Sequence, residues 1–187
     1  MVSVQELISR LKYWRNADRI GPDIPITHWR LYFKRAMKEL CIKKFKSFGE
    51  GSEFRPGAYA VNCSQISIGA NVVIRPGTML FADNRPGGAK IIIEDKVSIG
   101  SGVHFITCNH MYSIKNTEIY DQGYKKPNAL DTIILKRGCW VGANAILLPG
   151  VQVGENSVVG AGTIATKSVP PHVVFAGNPG KIIKDIK

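Results

Sequence analysis

The sequence predicts an all-β fold, a parallel β-helix of hexapeptide repeats, preceded by an α-helical N-terminal region. The main observation is a six-residue repeat that runs without interruption through residues 135–170. Each repeat begins with an aliphatic residue and carries glycine, asparagine or serine at its fourth position: Gly138, Asn144, Gly150, Asn156, Gly162 and Ser168. Glycine and asparagine adopt left-handed backbone angles at low cost, so they suit turns between short strands. Such a short period is typical of β-helices, and an α-helix would be destabilised by so many glycines and asparagines.

Length and composition favour one globular domain. The chain has 187 residues, of which 44% are hydrophobic and 21% are charged, and both values are ordinary for a globular protein. No apolar run approaches the roughly 20 residues that cross a bilayer, and the N-terminus has no signal-peptide core. The four cysteines form no Cys-x-x-Cys pair. We therefore expect a cytoplasmic protein.

The net charge of +11 indicates an anionic partner. Residues 1–50 hold eleven Lys and Arg against five Asp and Glu, a net charge of +6. No helix-turn-helix, zinc-finger or RNA-recognition signature accompanies this charge, so we do not expect a nucleic-acid partner. An anionic lipid surface or an anionic small molecule fits it.

Two helices are predicted in the N-terminal region, residues 1–50. The first covers residues 3–15, with Ser3 as N-cap and Glu6 three residues later, which is a capping-box pattern. The second covers residues 27–46. Its predicted apolar face is formed by Trp29, Phe33, Met37, Leu40 and Cys41. We interpret the region as a basic helical cap on the first coil of the solenoid, or as a peripheral contact with anionic lipid, and the two are compatible.

The β-helix is predicted over residues 51–187. Three repeats make a coil of about eighteen residues, so that positions one coil apart stack. The repeat fails twice, in a polar loop over residues 82–88 and in a long loop over about 108–131. A tail over residues 171–187 is predicted to be a loop followed by a short strand or turn. Because the repeats themselves form a solid prism, we expect any site at these interruptions or between copies of the chain.

The closing repeats carry a specific succession of motifs. They are Trp140-Val-Gly-Ala-Asn-Ala-Ile-Leu-Leu-Pro-Gly-Val, then Val159-Gly-Ala-Gly-Thr-Ile-Ala-Thr-Lys, then Ala176-Gly-Asn-Pro-Gly-Lys-Ile-Ile-Lys. Over roughly residues 60–187 the chain resembles the hexapeptide-repeat acyltransferases, especially the branch of maltose, galactoside and polysaccharide O-acetyltransferases. The resemblance implies a left-handed β-helix and a homotrimer, with acetyl-CoA as co-substrate in the groove between neighbouring chains and no metal.

The resemblance also implies a catalytic base. Acetyl transfer to a hydroxyl needs a group that accepts the hydroxyl proton, and histidine suits this near neutral pH. His110 stands where the six-residue repeat gives way to the long loop, at the position of the family's catalytic histidine. His28 and His172 are expected at the surface, and His104 should face a different side from His110, which argues against a shared metal site.

Further site residues follow from the resemblance. The positions that contact CoA in the family correspond to Ala143, Ala161, Thr166, Lys167, Lys181 and Lys184. The acceptor is expected near Asp83, Asn84 and Tyr112, with weaker candidates at Lys115 and Tyr124. The sequence departs from the family pattern at two points. It has lysines where galactoside-type members carry arginine, and it has His110-Met111 where sugar-acetylating members have His-Pro.

These features predict an acetyl-CoA-dependent O-acetyltransferase. Its acceptor would be a sugar hydroxyl, in the assembly of a cell-surface polysaccharide such as capsule, O-antigen or exopolysaccharide. Two alternatives remain open: an N-acetyltransferase for a nucleotide-linked amino sugar or an antibiotic on the same fold, and a non-catalytic β-helix scaffold.

Overall fold

The structure is a computed structural model that describes residues 2–187. The helices of this part of the chain are α1 (Val4–Asn16), α2 (Pro25–His28), α3 (Lys34–Lys44) and α4 (Ile119–Gln122), and short 3-10 segments lie at Trp29–Tyr32, Cys63–Gln65 and Ala129–Asp131. The strands are β1 (Arg19–Ile20), β2 (Ser47–Phe48), β3 (Glu53–Phe54), β4 (Tyr59–Val61), β5 (Ile66–Ile68), β6 (Val73–Ile74), β7 (Met79–Phe81), β8 (Ile91–Ile93), β9 (Ser98–Ile99), β10 (His104–Ile106), β11 (Ile133–Leu135), β12 (Trp140–Val141), β13 (Ile146–Leu147), β14 (Gln152–Val153), β15 (Val158–Val159), β16 (Ile164–Ala165), β17 (Val173–Gly177) and β18 (Gly180–Asp185).

The strands form three sheets that the chain visits in turn. Sheet A has the order β1-β4-β7-β10-β13-β16, sheet B the order β14-β11-β8-β5-β2, and sheet C the order β18-β17-β15-β12-β9-β6-β3. From β2 to β16 all pairs are parallel, and Leu135 pairs with Val153 eighteen residues later. The predicted parallel strands and their eighteen-residue spacing are thus confirmed. The first strand of the solenoid, β2, begins at Ser47, four residues before the predicted start of the β-helix at residue 51.

The core runs along the interior between the three sheets. One layer consists of Leu80, Phe105 and Leu147, which stack in register on neighbouring strands of sheet A and are each 0% exposed. A strand places every second residue on the same face. The strand residues that face this interior are aliphatic or aromatic. Edge strands close both ends, with β1 antiparallel to β4 and β18 antiparallel to β17. These antiparallel strands cover edges that would otherwise offer unpaired backbone groups.

Five of the six residues at the fourth position of the repeat have left-handed backbone angles, and Ser168 does not. The φ angle is positive at Gly138, Asn144, Gly150, Asn156 and Gly162. Stacking also restricts their neighbours: a Cβ on Gly102 would lie 2.2 Å from Oδ1 of Asn144 in the next coil. The asparagine therefore occupies the space that a side chain at residue 102 would need.

The N-terminal region differs from its prediction in one respect. The Ser3 cap is confirmed, since its Oγ accepts from the N–H of Glu6 at 3.1 Å. The single second helix is wrong: α2, a 3-10 segment and α3 replace it, with Phe33 in extended backbone between them. Leu31 and Leu40 are both buried, yet at about 100° per residue they would lie on opposite sides of one straight helix. The break lets both reach the core.

The helices contribute unequally to the core. Met37, Leu40 and Cys41 of α3 are buried, and α3 contacts β2 and β3 of the first coil. Trp29 and Phe33 are predicted on the same apolar face, but they are 55% and 58% exposed. Helix α1 has no buried residue and packs on α2. No helix among residues 2–187 is long and apolar enough to cross a membrane.

The C-terminal tail is also more regular than predicted. Residues 173–177 were expected in a loop, but they form β17, which continues sheet C above β15. The side chains of Val173 and Phe175 alternate into the core there. The prediction was wrong because the two prolines before β17 break the repeat, and the continuous apolar run Val173-Val-Phe-Ala shows no alternation of apolar and polar residues. The predicted C-terminal strand is present as β18.

Candidate active site

The two interruptions of the repeat lie side by side. The first follows β7 and the second follows β10, and these strands are neighbours in sheet A with Leu80 opposite Phe105. Both loops therefore leave the solenoid at the corner between sheets A and B. Hydrogen bonds join them: Thr107 Oγ1 donates to the carbonyl of Phe81 at 2.8 Å.

Asp83 lies in the first loop and is held by Arg85. The carboxylate is 6% exposed and accepts from the Nε of Arg85 at 2.9 and 3.1 Å, from its Nη2 at 2.7 Å and from its backbone N–H at 3.0 Å. This two-pronged geometry matches a guanidinium to a carboxylate. The Arg85 guanidinium holds the pKa of that carboxyl below its usual value. Asp83 is thus an ionised group whose oxygens are already engaged.

His110 lies in the second loop against Tyr124. The two rings are 4.1 Å apart between centroids with 30° between their planes. The backbone of the two residues forms an antiparallel bridge, flanked by hydrogen bonds of 2.9 Å from Met111 N to Gly123 O and from Lys125 N to Asn109 O. The loop backbone is therefore fixed next to His110, and this residue is exposed, so a substrate can reach its ring.

A hollow of about 270 Å³ lies beside this cluster. It is lined by Val61, Asn62, Phe81, Ala82, Asp83, Asn84, Arg85, Cys108 and Tyr124. Its volume is just below the range of about 300–1000 Å³ for ligand pockets, and its lining is mainly apolar with a few polar groups. Of the predicted acceptor residues, Asp83, Asn84 and the weaker candidate Tyr124 line it. Tyr112 is 76% exposed and does not.

The sequence did not predict four of the residues that line the hollow, although the fold explains why each of them lies there. Asn62 sits one coil below Ala82 and donates to its carbonyl at 2.7 Å, so it shares the corner with the first loop. Arg85 follows Asp83 by two positions in the same interruption, which was a usable signal. Phe81 ends β7, and Cys108 lies two residues after the end of β10, so both are next to the loops. Burial raises the pKa of the Cys108 thiol, which keeps it protonated and a poor nucleophile.

The predicted CoA residues lie at the two corners that flank sheet A and in strand β18 of sheet C. Ala143 and Ala161 lie at the corner where sheet C passes into sheet A, one above the other, and Gly162 N donates to Ala143 O at 2.8 Å. Lys181 pairs with Ala176 in sheet C, and Ala176 lies over Gly160. Lys184 is three positions further along β18, opposite Val174. Thr166 and Lys167 follow β16 at the corner between sheets A and B, the corner of His110.

The other histidines lie elsewhere. His104 is in β10 on the outer face of sheet A, in register with Met79 and Ile146, so it and His110 are not grouped. His172 is exposed, as predicted, whereas His28 is half-buried, with a buried Nδ1 that has no partner in the described part. Among residues 2–187 no three His, Cys, Asp or Glu side chains converge on one point. A larger hollow of about 610 Å³ beside Glu94 and Lys136 contains none of the predicted site residues.

Comparison with known proteins agrees with this architecture. The family described as bacterial transferase hexapeptide (six repeats) matches residues 132–167. The chain is 31% identical to galactoside O-acetyltransferase of Escherichia coli (strain K12) over 157 residues, which is 80% of this chain and 68% of the relative.

Solved structures share the fold. A hexapeptide-repeat acetyltransferase of Vibrio cholerae, solved with acetyl-CoA, has a TM-score of 0.73 at 22% identity and covers 99% of this chain and 91% of its own. A galactoside acetyltransferase solved with CoA has a TM-score of 0.65 at 23% identity over 95% and 91% of the two chains.

Solenoids of stacked six-residue repeats with a transferase signature in the closing coils define a class of acyl-transferring enzymes. The chain belongs to the hexapeptide-repeat acetyltransferases and is an acetyl-CoA-dependent acetyltransferase.

Proposed function

We propose that this chain transfers the acetyl group of acetyl-CoA to a sugar hydroxyl, with His110 as general base, in the assembly of a cell-surface polysaccharide. The observation that carries the proposal is the cluster in which His110 stands beside Tyr124 and the hollow lined by Asp83 and Asn84. The relative from Escherichia coli is named for acetylating a galactoside, which supports a sugar as acceptor. A hollow of about 270 Å³ suits one sugar ring.

The chemistry assigns a role to each group. Acetyl-CoA supplies an acetyl thioester. His110 accepts the hydroxyl proton as the sugar oxygen attacks the thioester carbonyl, and the proton is then returned to the departing CoA sulfur. Asn84 is exposed and free to hydrogen-bond a sugar hydroxyl, and Tyr112 would reach the acceptor from outside the hollow. Asp83 acts indirectly, since Arg85 occupies its oxygens.

The small residues of the sheet C–sheet A corner fit the pantetheine arm of CoA. A Cβ on Gly142 would lie 2.5 Å from the backbone N of Ala161 in the next coil, so the coils stack closely at this corner. Ala143 and Ala161 would let the arm approach backbone amides and carbonyls. Lys181 and Lys184, both exposed, would meet the phosphates as point charges.

The division of these residues between two corners supports a homotrimer. One chain presents Thr166 and Lys167 at the corner between sheets A and B, from which the loop of His110 also leaves, but Ala143 and Ala161 at the corner between sheets C and A. A groove between two copies would bring both edges together. The outer face of sheet A is also apolar, with Met79, Phe81, Ile106, Ile146 and Ile164 half-buried on it. Light scattering would then give about three times the chain mass of 20.5 kDa. The left-handed sense of the β-helix is part of the same proposal, and so is the division into residues 1–50 and 51–187.

A sugar panel tests the proposal. The protein, acetyl-CoA and sugar acceptors are expected to release a thiol, and the product should be an ester that mild alkali hydrolyses. An alkali-stable amide formed on an amino sugar would instead identify the protein as an N-acetyltransferase. If no thiol is released and calorimetry detects no CoA binding, the protein would be a non-catalytic β-helix scaffold.

Replacing Lys181 and Lys184 together with glutamine is expected to weaken CoA binding about tenfold. Each exposed cation near a phosphate contributes up to about 1 kcal/mol. Isothermal calorimetry measures the dissociation constant, and the difference should shrink at high salt. The control is the double variant Lys12→Gln and Arg15→Gln, which removes the same charge from α1. An unchanged dissociation constant in the tail variant would contradict the assignment.

We also propose that the N-terminal helices touch an anionic membrane surface, on its cytoplasmic side. A groove between α1 and α2 is lined by Ile8, Leu11 and Ile26 and rimmed by Lys12 and Arg15. Leu11 is 41% exposed and Ile8 48% exposed, so this apolar stripe is uncovered on the single chain. Apolar residues beside cations suit the boundary between headgroups and acyl chains. Such a contact would suit a lipid-linked acceptor.

Vesicle sedimentation tests the membrane contact. Phosphatidylglycerol-containing vesicles should bind the protein and neutral phosphatidylcholine vesicles should not. The variant with Lys12→Gln and Arg15→Gln is expected to bind about thirtyfold more weakly, at about 1 kcal/mol for each cation. The variant with Lys181→Gln and Lys184→Gln serves as the charge-matched control. Equal binding of both variants would sink the idea.

A further inference from the structure

We propose that Arg85, held by Asp83, fixes the ring of Tyr124 and through it the ring of His110. Arg85 and Tyr124 are then positioning residues for the base. This inference deepens the proposed function and depends on His110 acting as that base. It also supplies what the sequence lacked, a group that orients the histidine.

The first link is the ion pair between Asp83 and Arg85. The two groups share two parallel contacts, Nε to Oδ1 at 2.9 Å and Nη2 to Oδ2 at 2.7 Å. Asp83 is 6% exposed, so the pair is shielded from solvent on the carboxylate side. Such a fork fixes the plane of the guanidinium as well as its position, which a lysine ammonium would not do.

The second link runs from Arg85 to the segment of Tyr124. The guanidinium carbon lies 5.8 Å from the centroid of the Tyr124 ring, within the range of a cation–π contact. Its Nη1 donates to the carbonyl of Lys125 at 3.0 Å. Arg85 therefore contacts both the ring and the backbone of this segment, and it joins the two interruptions of the solenoid across 40 residues of sequence.

The third link is the stack of Tyr124 on His110. The backbone bridge between the two residues places the Cα of His110 but leaves its side-chain torsions free. Ring contact at 4.1 Å restricts those torsions. A general base must reach about 2.6–3.2 Å from the proton it accepts, so an exposed histidine without such support would spend much of its time out of reach. Misplacement by about 1 Å can cost a hundredfold in rate.

Kinetics of three variants test the links. Tyr124→Leu removes the ring but keeps an apolar side chain, and kcat is expected to fall about ten- to a hundredfold while KM for acetyl-CoA stays within about twofold. Tyr124→Phe keeps the stack and should recover most of kcat. Arg85→Lys keeps the charge but loses the fork, so kcat should fall about tenfold.

The chain provides a matched control at another corner. Arg55 and Glu53 form a pair with the same two-residue spacing, with Nε to Oε2 at 2.9 Å, away from both loops. Arg55→Lys should leave kcat unchanged. Circular dichroism and melting temperature show whether each variant is folded. If Arg85→Lys does not fold, Tyr124→Leu still tests the inference.

A spectroscopic readout separates positioning from general loop damage. In the nuclear magnetic resonance spectrum, the ring protons of His110 should be shifted upfield by the face of Tyr124. This shift should disappear in Tyr124→Leu, persist in Tyr124→Phe, change in Arg85→Lys and stay constant in Arg55→Lys. Identical His110 resonances in folded Arg85→Lys, or full kcat in Tyr124→Leu, would overturn the inference.

The two failures are distinguishable. If His110→Ala is inactive and Tyr124→Leu is fully active, the positioning role alone is wrong. If His110→Ala is fully active, the assignment of the base is wrong, and positioning for catalysis is wrong with it.

Discussion

Replacing His110 with alanine is expected to lower kcat by about two to four orders of magnitude, because this is the range that a general base contributes. The acceptor hydroxyl would then lose its proton to water instead of to a positioned imidazole. KM for acetyl-CoA should change little, since the predicted CoA contacts lie at other residues. Initial rates of thiol release with the best acceptor of the sugar panel measure the effect.

The structure indicates that this substitution leaves the fold intact. His110 is exposed and lies outside the three sheets, so its side chain contributes no core contact. His172→Asn is a suitable control: His172 is also exposed and has a φ of 57°, which asparagine adopts readily. Near-normal turnover in folded His110→Ala would remove His110 from the mechanism.

Replacing Phe105 with alanine is expected to lower the free energy of unfolding by about 3–5 kcal/mol. Phe105 is 0% exposed and stacks between Leu80 and Leu147 on adjacent strands of sheet A. Its removal would leave a cavity that rigid neighbouring coils cannot close. Because a small domain is stable by only about 5–15 kcal/mol, this is a large share of the total.

Urea denaturation at one fixed protein concentration measures this loss, since association of copies adds to apparent stability. Ser98→Ala is the control, because Ser98 is exposed in β9 and its replacement should stay within about 0.5 kcal/mol. A loss below about 1 kcal/mol in Phe105→Ala would be smaller than that of any ordinary buried phenylalanine. It would contradict the inward placement of this layer.

The repeat predicted the solenoid because its signals are local. A glycine or asparagine at a turn, such as Gly138 or Asn144, states a backbone preference that does not depend on the rest of the chain. The two loops were predicted as sites for the same reason, as places where the pattern fails. Predictions failed where packing overrides local preference, as at Phe33, whose extended backbone lets Leu31 and Leu40 both reach the core.

By itself the sequence determined the parallel strands, the turn positions, the two interruptions and the histidine that opens the second one. Only the tertiary structure decided that Asp83, Arg85, Tyr124 and His110 form one connected cluster, and that the predicted CoA residues lie at both corners of sheet A and in strand β18 of sheet C. The reason is physical. Backbone preferences act over a few residues, whereas contacts between loops depend on how the coils stack and on how much chain each interruption adds between neighbouring strands.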